Sequence, residues 1–242
     1  MLTRRKVVWT AVIAFAAVTL LLWLVSVTVA TEYTVVSPPR GGQLLEGDRV
    51  VVSRLSYGLR LPWPGLQFSR RLSYRRPERG DIMAFNLPSD SLHTLLSRPV
   101  VFGTCLALPG DTVYVSRTGL LRRTPSRGFF PFAIPARDVP VRVTPWNASL
   151  LCSALNLHEP CHTAALKGDT LMVDGHSAEF IAFTQDYFWA YSGAQSDKFD
   201  SRFFGLLPES HIIGRVVGIF FSLRPHAPLQ SRLRAGRMFK AI

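Results

Sequence analysis

The feature that most constrains this chain is an uncharged apolar run from Val7 to Ala30, VVWTAVIAFAAVTLLLWLVSVTVA. As a helix it is long enough to cross a hydrocarbon core of about 30 Å. A cleavable export signal has a shorter apolar core, roughly 7–15 residues, so the uninterrupted length points to a retained anchor. The small residues Thr28, Ala30 and Thr31 leave cleavage as the alternative. Arg4, Arg5 and Lys6 precede the run, and positive flanks stay on the cytoplasmic side. The expected topology is a single pass through the cell (inner or plasma) membrane, with a cytoplasmic N-terminus and the body on the extracytoplasmic side.

The 242 residues carry a formal net charge of +12. In a cytoplasmic protein that excess would suggest nucleic acid. Here the basic residues are scattered, no zinc-finger spacing or RNP-type motif accompanies them, and the body is expected outside the cytoplasm. Membrane lipid of negative charge is the expected partner, and nucleic acid is not. Three cysteines are too few for a disulfide scaffold and show no metal-ligand spacing. Cys152 and Cys161 bracket a short polar loop, LCSALNLHEPC, which a disulfide could close in an oxidising compartment. Cys105, in an apolar stretch, reads as a small buried hydrophobe.

Beyond the run, short β-branched and aromatic segments alternate with Gly-Asp and Pro-Gly turns: residues 31–36, GDRVVVSRLSYG, RGDIMAFNLP, VVFGTCLALPGDTVYV, GDTLMVDG, YFWAYSG and HIIGRVVGIFFSL. Few amphipathic helices interrupt them, so the body is expected to be mainly β. The segment LRLPWPGLQF is too rich in Pro and Gly for a helix or strand. It is expected to be a loop, with Trp63, Leu66 and Phe68 either resting on a membrane surface or folded into the core. Residues 116–180 are rich in Pro, Arg and Ser and read as an insertion between two halves of one β core. LQSRLRAGRMFKAI reads as a basic tail or short surface helix.

Four segments, in order and at suitable separations, resemble type I signal peptidases of the Ser-Lys dyad class. SPPRGGQLLEGDRVVVSRLSYGLRLP is similar to that family's serine block and the element after it. RGDIMAFNLP and CLALPGDTVYV resemble its two central strands, and SGAQSDKFDSRFFGLLPESHIIGRVVGIFFSL resembles its last block and closing strand. The resemblance implies a signal-peptidase-like β core with an inserted smaller domain, preceded by one N-terminal transmembrane helix. In those terms residues 1–6 are cytoplasmic, 7–30 the anchor, 31–115 the first half of the core, 116–180 the inserted cap domain, 181–225 the second half and 226–242 the basic tail.

Cleavage by this class needs a serine nucleophile and a lysine desolvated enough to act as a neutral base. The family places the serine eight residues before the glycine of the first Gly-Asp pair, which here is Pro39, counted from Gly47. It places the lysine seven residues before the glycine of Leu-Pro-Gly-Asp, which here is Gly103, counted from Gly110. Neither residue can attack a carbonyl or accept a proton through its side chain. The four lysines are Lys6, Lys167, Lys198 and Lys240; Lys198 falls within the last block, where the family carries a small or polar residue. Ser37 matches the serine whose hydroxyl supports the oxyanion, and is the fallback nucleophile, although Pro38 and Pro39 restrict its turn. The resemblance gives Asp200, Ser201 and Arg202 a role in supporting the dyad and bracing the fold. With the dyad gone, an ion pair or turn clamp is the better reading of Asp200 and Arg202, and Ser196 is only a candidate partner.

HEPCH formally matches a zinc-protease pattern, which requires His158 and His162 on one continuous helix. Pro160 opposes that, so no metal and no cofactor are expected. The expected function is that of a membrane-anchored, catalytically inactive signal peptidase homologue that binds exported preproteins or partners an active signal peptidase. An active peptidase using Ser37 and a basic membrane-surface scaffold are the alternatives.

Overall fold

The computed structural model describes residues 9, 12–19, 30–39, 41–58, 75–90, 92–159, 163–193, 199–228 and 231–242. Of the apolar run, residues 9 and 12–19 are helical and exposed, and Ala30 opens the first strand. The remainder of Val7–Ala30 lies outside the described residues, as does the loop bearing Trp63, Leu66 and Phe68. Among the described residues no helix is long and apolar enough to cross a membrane.

The first half of the body supplies β1 (Ala30–Thr34), β2 (Asp48–Ser53), β3 (Ile82–Asn86) and β4 (Val100–Ala107). The insertion follows as β5 (Thr112–Ser116), β6 (Leu121–Arg122), β7 (Phe129–Ala133), β8 (Val141–Arg142), α1 (Ala148–His158), β9 (Ala164–Lys167), β10 (Thr170–Val173), β11 (His176–Ser177) and β12 (Phe180–Ile181). The chain then returns through β13 (Tyr187–Tyr191), α2 (Ser201–Phe204), β14 (Leu207–Pro208), β15 (Ile212–Ser222) and β16 (Lys240–Ala241). One antiparallel sheet runs β1-β2-β15-β3-β4-β13-β14, with β16 also on β15. The insertion forms three smaller sheets.

Side-chain alternation explains the layering. In β2, Val50 and Val52 point inward while Arg49 is exposed, the period of a strand with one buried face. In β3 every residue is buried, which suits its continuous apolar sequence IMAFN. Ile82 and Ala84 join Val35, Val50, Val52, Phe102 and Ile219 on one side. Met83 and Phe85 join Tyr57, Cys105, Phe188 and Ala190 on the other. A third cluster, around Val113, Phe132, Leu151, Leu155 and Phe183, seats the insertion against Tyr187 and Trp189 of β13.

Three Gly-Asp pairs fix how strands enter these layers. Gly47, Gly80 and Gly110 have φ of 82°, 91° and 83°, the left-handed region that a glycine at the third position of a turn supplies. The following aspartate then reaches back: Leu45 N–H donates to Asp48 at 2.8 Å, Glu78 N–H to Asp81 at 3.0 Å and Leu108 N–H to Asp111 at 2.7 Å. Each carboxylate also holds an arginine from elsewhere. Arg237 Nη2 lies 2.7 Å from Asp48, Arg215 Nε lies 3.2 Å from Asp81, and Arg79 pairs with Asp111. Tyr57 donates its hydroxyl to Asp81 at 2.8 Å. Burial and this carboxylate together push the Tyr57 phenol well above its ordinary range.

Two expectations are corrected. Residues 226–242, expected as a basic tail or short surface helix, hold one helical turn without buried residues at Ala235–Arg237 but are docked on the body: Leu233 bridges Leu223, Lys240–Ala241 form a strand on β15, and Ile242 packs against the first cluster. The reason is electrostatic, because Asp48 is fully buried and needs cations, which Arg234 and Arg237 bring. The second correction concerns the supposed polar loop at Cys152, which belongs to α1. Ala148, Leu151, Ala154 and Leu155 are its buried residues, a helical spacing, and Glu159 leaves the helix in extended conformation just before Pro160.

Burial alone would raise the Asp48 carboxyl, but hydrogen bonds from Arg237, Ser222 and the Leu45 N–H outweigh it and hold the group below its ordinary 3.8. Its contribution to stability is therefore complete above that value and is lost as pH falls through the lower folded value. Asp48→Ala is expected to cost about 3 kcal/mol in chemical denaturation at neutral pH, by leaving two arginines without their buried partner. The deficit relative to wild type should shrink in acid below pH 4.

Candidate functional site

β13 and α2 assemble the part of the site that the last sequence block predicts. Asp200 precedes α2, and its carboxylate accepts from the Arg202 N–H at 3.0 Å, capping the helix. Arg202 Nη2 approaches the same carboxylate at 2.6 Å, and Ser192 donates its hydroxyl at 3.2 Å. Asp200 is fully buried and the Arg202 side chain nearly so, so this is a desolvated charge pair in which both partners are required. The guanidinium also lies over the Tyr191 ring at 4.9 Å and the Phe203 ring at 5.5 Å. Ser201 Oγ accepts from the Ala190 N–H at 2.9 Å, which ties α2 to β13. Asp200, Ser201 and Arg202 thus form a structural clamp. Ser196 and Lys198 lie outside the described residues.

Gly103 sits in β4, paired with Met83 of β3, and reaches the same neighbourhood. A Cβ built on it would lie 3.2 Å from Phe85 Cε1, 3.5 Å from Ala190 Cβ and 3.5 Å from the Tyr191 carbonyl oxygen. A side chain there would press on Phe85 of β3, whose ring would have to give by a few tenths of an ångström, and would meet β13 at ordinary contact distance. The nearest atoms do not come from the Ser37–Pro39 segment, where Pro39 is buried and Ser37 is half-buried after β1. The structure therefore brings Gly103 to the Asp200–Arg202 clamp through Ala190, but does not set Ser37 among the nearest neighbours of that position.

Cys105 is fully buried beside this layer, and burial followed by the charge of Asp81 pushes its thiol up to about 12, which leaves it protonated and unreactive. Cys152 is a free, half-buried thiol on α1, and its proposed partner Cys161 lies outside the described residues. His162 lies outside them too. Since α1 ends at His158, the helix required by the zinc pattern does not continue. Among the described residues no cluster of His, Cys, Asp and Glu could hold a metal ion.

Sequence reasoning missed a polar cluster where α1 meets the core. Buried Glu159 accepts from the Tyr187 hydroxyl at 2.9 Å and the Thr184 hydroxyl at 2.5 Å. Next to it, the His158 ring lies 5.0 Å from that of His211. Arg98 Nη1 is 2.7 Å from His211 Nε2, and Ser210 Oγ is 3.2 Å from Nδ1. This resembles a nucleophile–base pair, but the proton count excludes it. A guanidinium only donates, so Nε2 accepts and Nδ1–H must donate to Ser210. His211 then cannot take the Ser210 proton. No motif spacing joins Arg98, His158 and His211 in sequence; only Glu159, an acid after an apolar helix, hinted at a buried site.

A model of the family described as signal peptidase, peptidase S26, matches residues 5–122. A signal peptidase I from Pseudomonas fluorescens is 37% identical over 67 residues, 28% of this chain, and the match spans 20% of that relative's length. Over residues 5–122 the chain belongs to the signal peptidase family, peptidase S26.

Burial, followed by the charge of Arg98, pushes the His158 imidazole from 6.5 down to about 4. The unfolded chain thus binds this proton first, and stability should fall as pH drops from 6.5 toward 4. Urea midpoints measured at pH 7 and pH 5 should converge in His158→Gln relative to wild type, while an unchanged difference would show that other groups set the slope.

Proposed function

We propose that this chain is a catalytically silent member of the signal peptidase family, held at a membrane by its apolar N-terminal run, that binds exported peptides or assists their processing. The observation that carries the reading is the packing around Gly103. The place of the base is Gly103, which Phe85 packs closely and Ala190 and Tyr191 touch, while the place of the nucleophile is Pro39. Loss of one group could be compensated by a neighbour. Loss of both removes general-base and nucleophilic catalysis together. The retained Asp200–Arg202 clamp keeps β13 and α2 in register, and a peptide would lie against this framework by backbone pairing and small pockets.

Membrane attachment draws support from residues 12–19, whose side chains are all exposed, including Val12, Ile13, Phe15 and Val18 at 53–73%. An apolar helix so exposed calls for a cover, and lipid is the fitting one. On this topology the body is extracytoplasmic, where preproteins emerge.

Detergent-solubilised protein is expected to leave a preprotein uncut, beside a Ser37→Ala control that behaves identically. Cleavage by the wild type that vanishes in Ser37→Ala would establish a rearranged serine peptidase instead. Restoring the family residues should not restore activity either: Gly103→Lys is expected to lower stability by about 1–3 kcal/mol through overpacking against Phe85, and Pro39→Ser with Gly103→Lys should remain inactive in the same assay.

A further inference from the structure

Between Asp111 and Asp138 the chain carries no Asp or Glu but five arginines: Arg117, Arg122, Arg123, Arg127 and Arg137. Arg137 is committed to Glu209 at 3.3 Å. The other four are exposed and belong to the β5–β6–β7 sheet and its turns. Among the described residues none of the four meets a carboxylate, and Arg122 instead lies over the Phe129 ring at 5.0 Å. Four uncompensated guanidiniums on one small sheet repel one another and create a local positive potential.

The place of this sheet gives the charge a use. The β5–β6 turn is pressed onto α2: a Cβ on Gly119 would lie 2.7 Å from the Arg202 Cα. The arginine cluster therefore adjoins the clamp at the Gly103 site. Asp200, which adjoins it, is consumed by Arg202 and Ser192, so it does not neutralise the hairpin. Leu120 and Phe203, 48% and 52% exposed, add apolar surface at the junction.

We infer that this hairpin docks an acidic segment of polypeptide, the stretch adjoining the part of an exported chain held at the site; the identity of that chain rests on the peptide-binding reading above. Guanidinium forks match carboxylates two bonds at a time. Strand addition is not the mode at the outer edge, because Pro131 of β7 stands opposite Tyr114 of β5 and offers no N–H. A polypeptide is favoured over a lipid surface by the strand order. The apolar run enters at β1, one edge of the main sheet, whereas the hairpin grows from β4, beyond β2, β15 and β3.

The test measures fluorescence anisotropy of labelled peptides against the full-length protein in detergent. The probes are a Glu-rich peptide, its Gln-for-Glu counterpart, and a signal-peptide sequence without acidic residues. The Glu-rich peptide should bind about tenfold more tightly than its Gln counterpart, the sum of several exposed charge pairs, and less tightly as salt is raised. The combined variant Arg117→Gln, Arg122→Gln, Arg123→Gln, Arg127→Gln alters only exposed side chains. It should melt like wild type and lose that preference. Equal binding of the two peptides, a preference that survives in the variant, or Arg-dependent binding to anionic vesicles with none to the Glu-rich peptide would overturn the inference. The two readings fail separately. Signal-peptide binding without the acidic preference sinks only the hairpin, whereas an Arg-dependent acidic preference without signal-peptide binding upholds the hairpin and sinks the peptide site.

Discussion

A buried aspartate needs both a hydrogen-bond donor and a cation, and in this protein Asp48 and Asp81 meet the two needs in one place, a pattern that the part-exposed Asp111 repeats. Asp48, Asp81 and Asp111 each close their own turn through the N–H three residues earlier and each recruit an arginine distant in sequence. Because a desolvated carboxylate is costly without its partner, these contacts define which segments must be neighbours. Arg237 brings the C-terminus back onto the entry to β2, Arg215 aligns β15 with β3, and Arg79 joins the second turn to the third. The sheet's order follows from these pairings together with its apolar faces.

The same logic operates where the family's chemistry would stand. The Asp200–Arg202 clamp and the Ser201 bond to Ala190 hold β13 and α2, and they remain useful without catalysis because they hold buried charge and backbone in place. Pro39 and Gly103 have no such second role to preserve. With glycine at 103, Phe85 and Ala190 pack against the strand, and both belong to the apolar layer containing Met83, Cys105 and Phe188. Fold and activity rest on different residues, so such a framework does not require the dyad.

Much of this was legible in the sequence. Gly-Asp spacing announced the turns, Val-rich and aromatic runs announced the strands, and Pro39 and Gly103 could be counted from motif glycines. The loss of arginine identity was harder: nothing in LQSRLRAGRMFKAI distinguishes Arg234 and Arg237, which hold Asp48, from Arg232, which does not. Long-range ion pairing carries no local periodicity. For α1, the Ser and Asn residues of ASLLCSALNLH suggested a loop, and the buried spacing of Ala148, Leu151 and Leu155 was overlooked. The cluster of Arg98, His158 and His211 was invisible for the same reason as the ion pairs, because three separate segments meet there only after the insertion has docked.

The central claim is that a peptide lies against the β13–α2 framework and is not cut. The most direct measurement places a photo-crosslinking amino acid at Tyr191 in the membrane-embedded protein and reads the mass of what it captures during export of a preprotein. The account predicts an adduct that contains the signal peptide still joined to its mature chain. An adduct holding only a severed fragment, or no adduct from a folded protein, would contradict it.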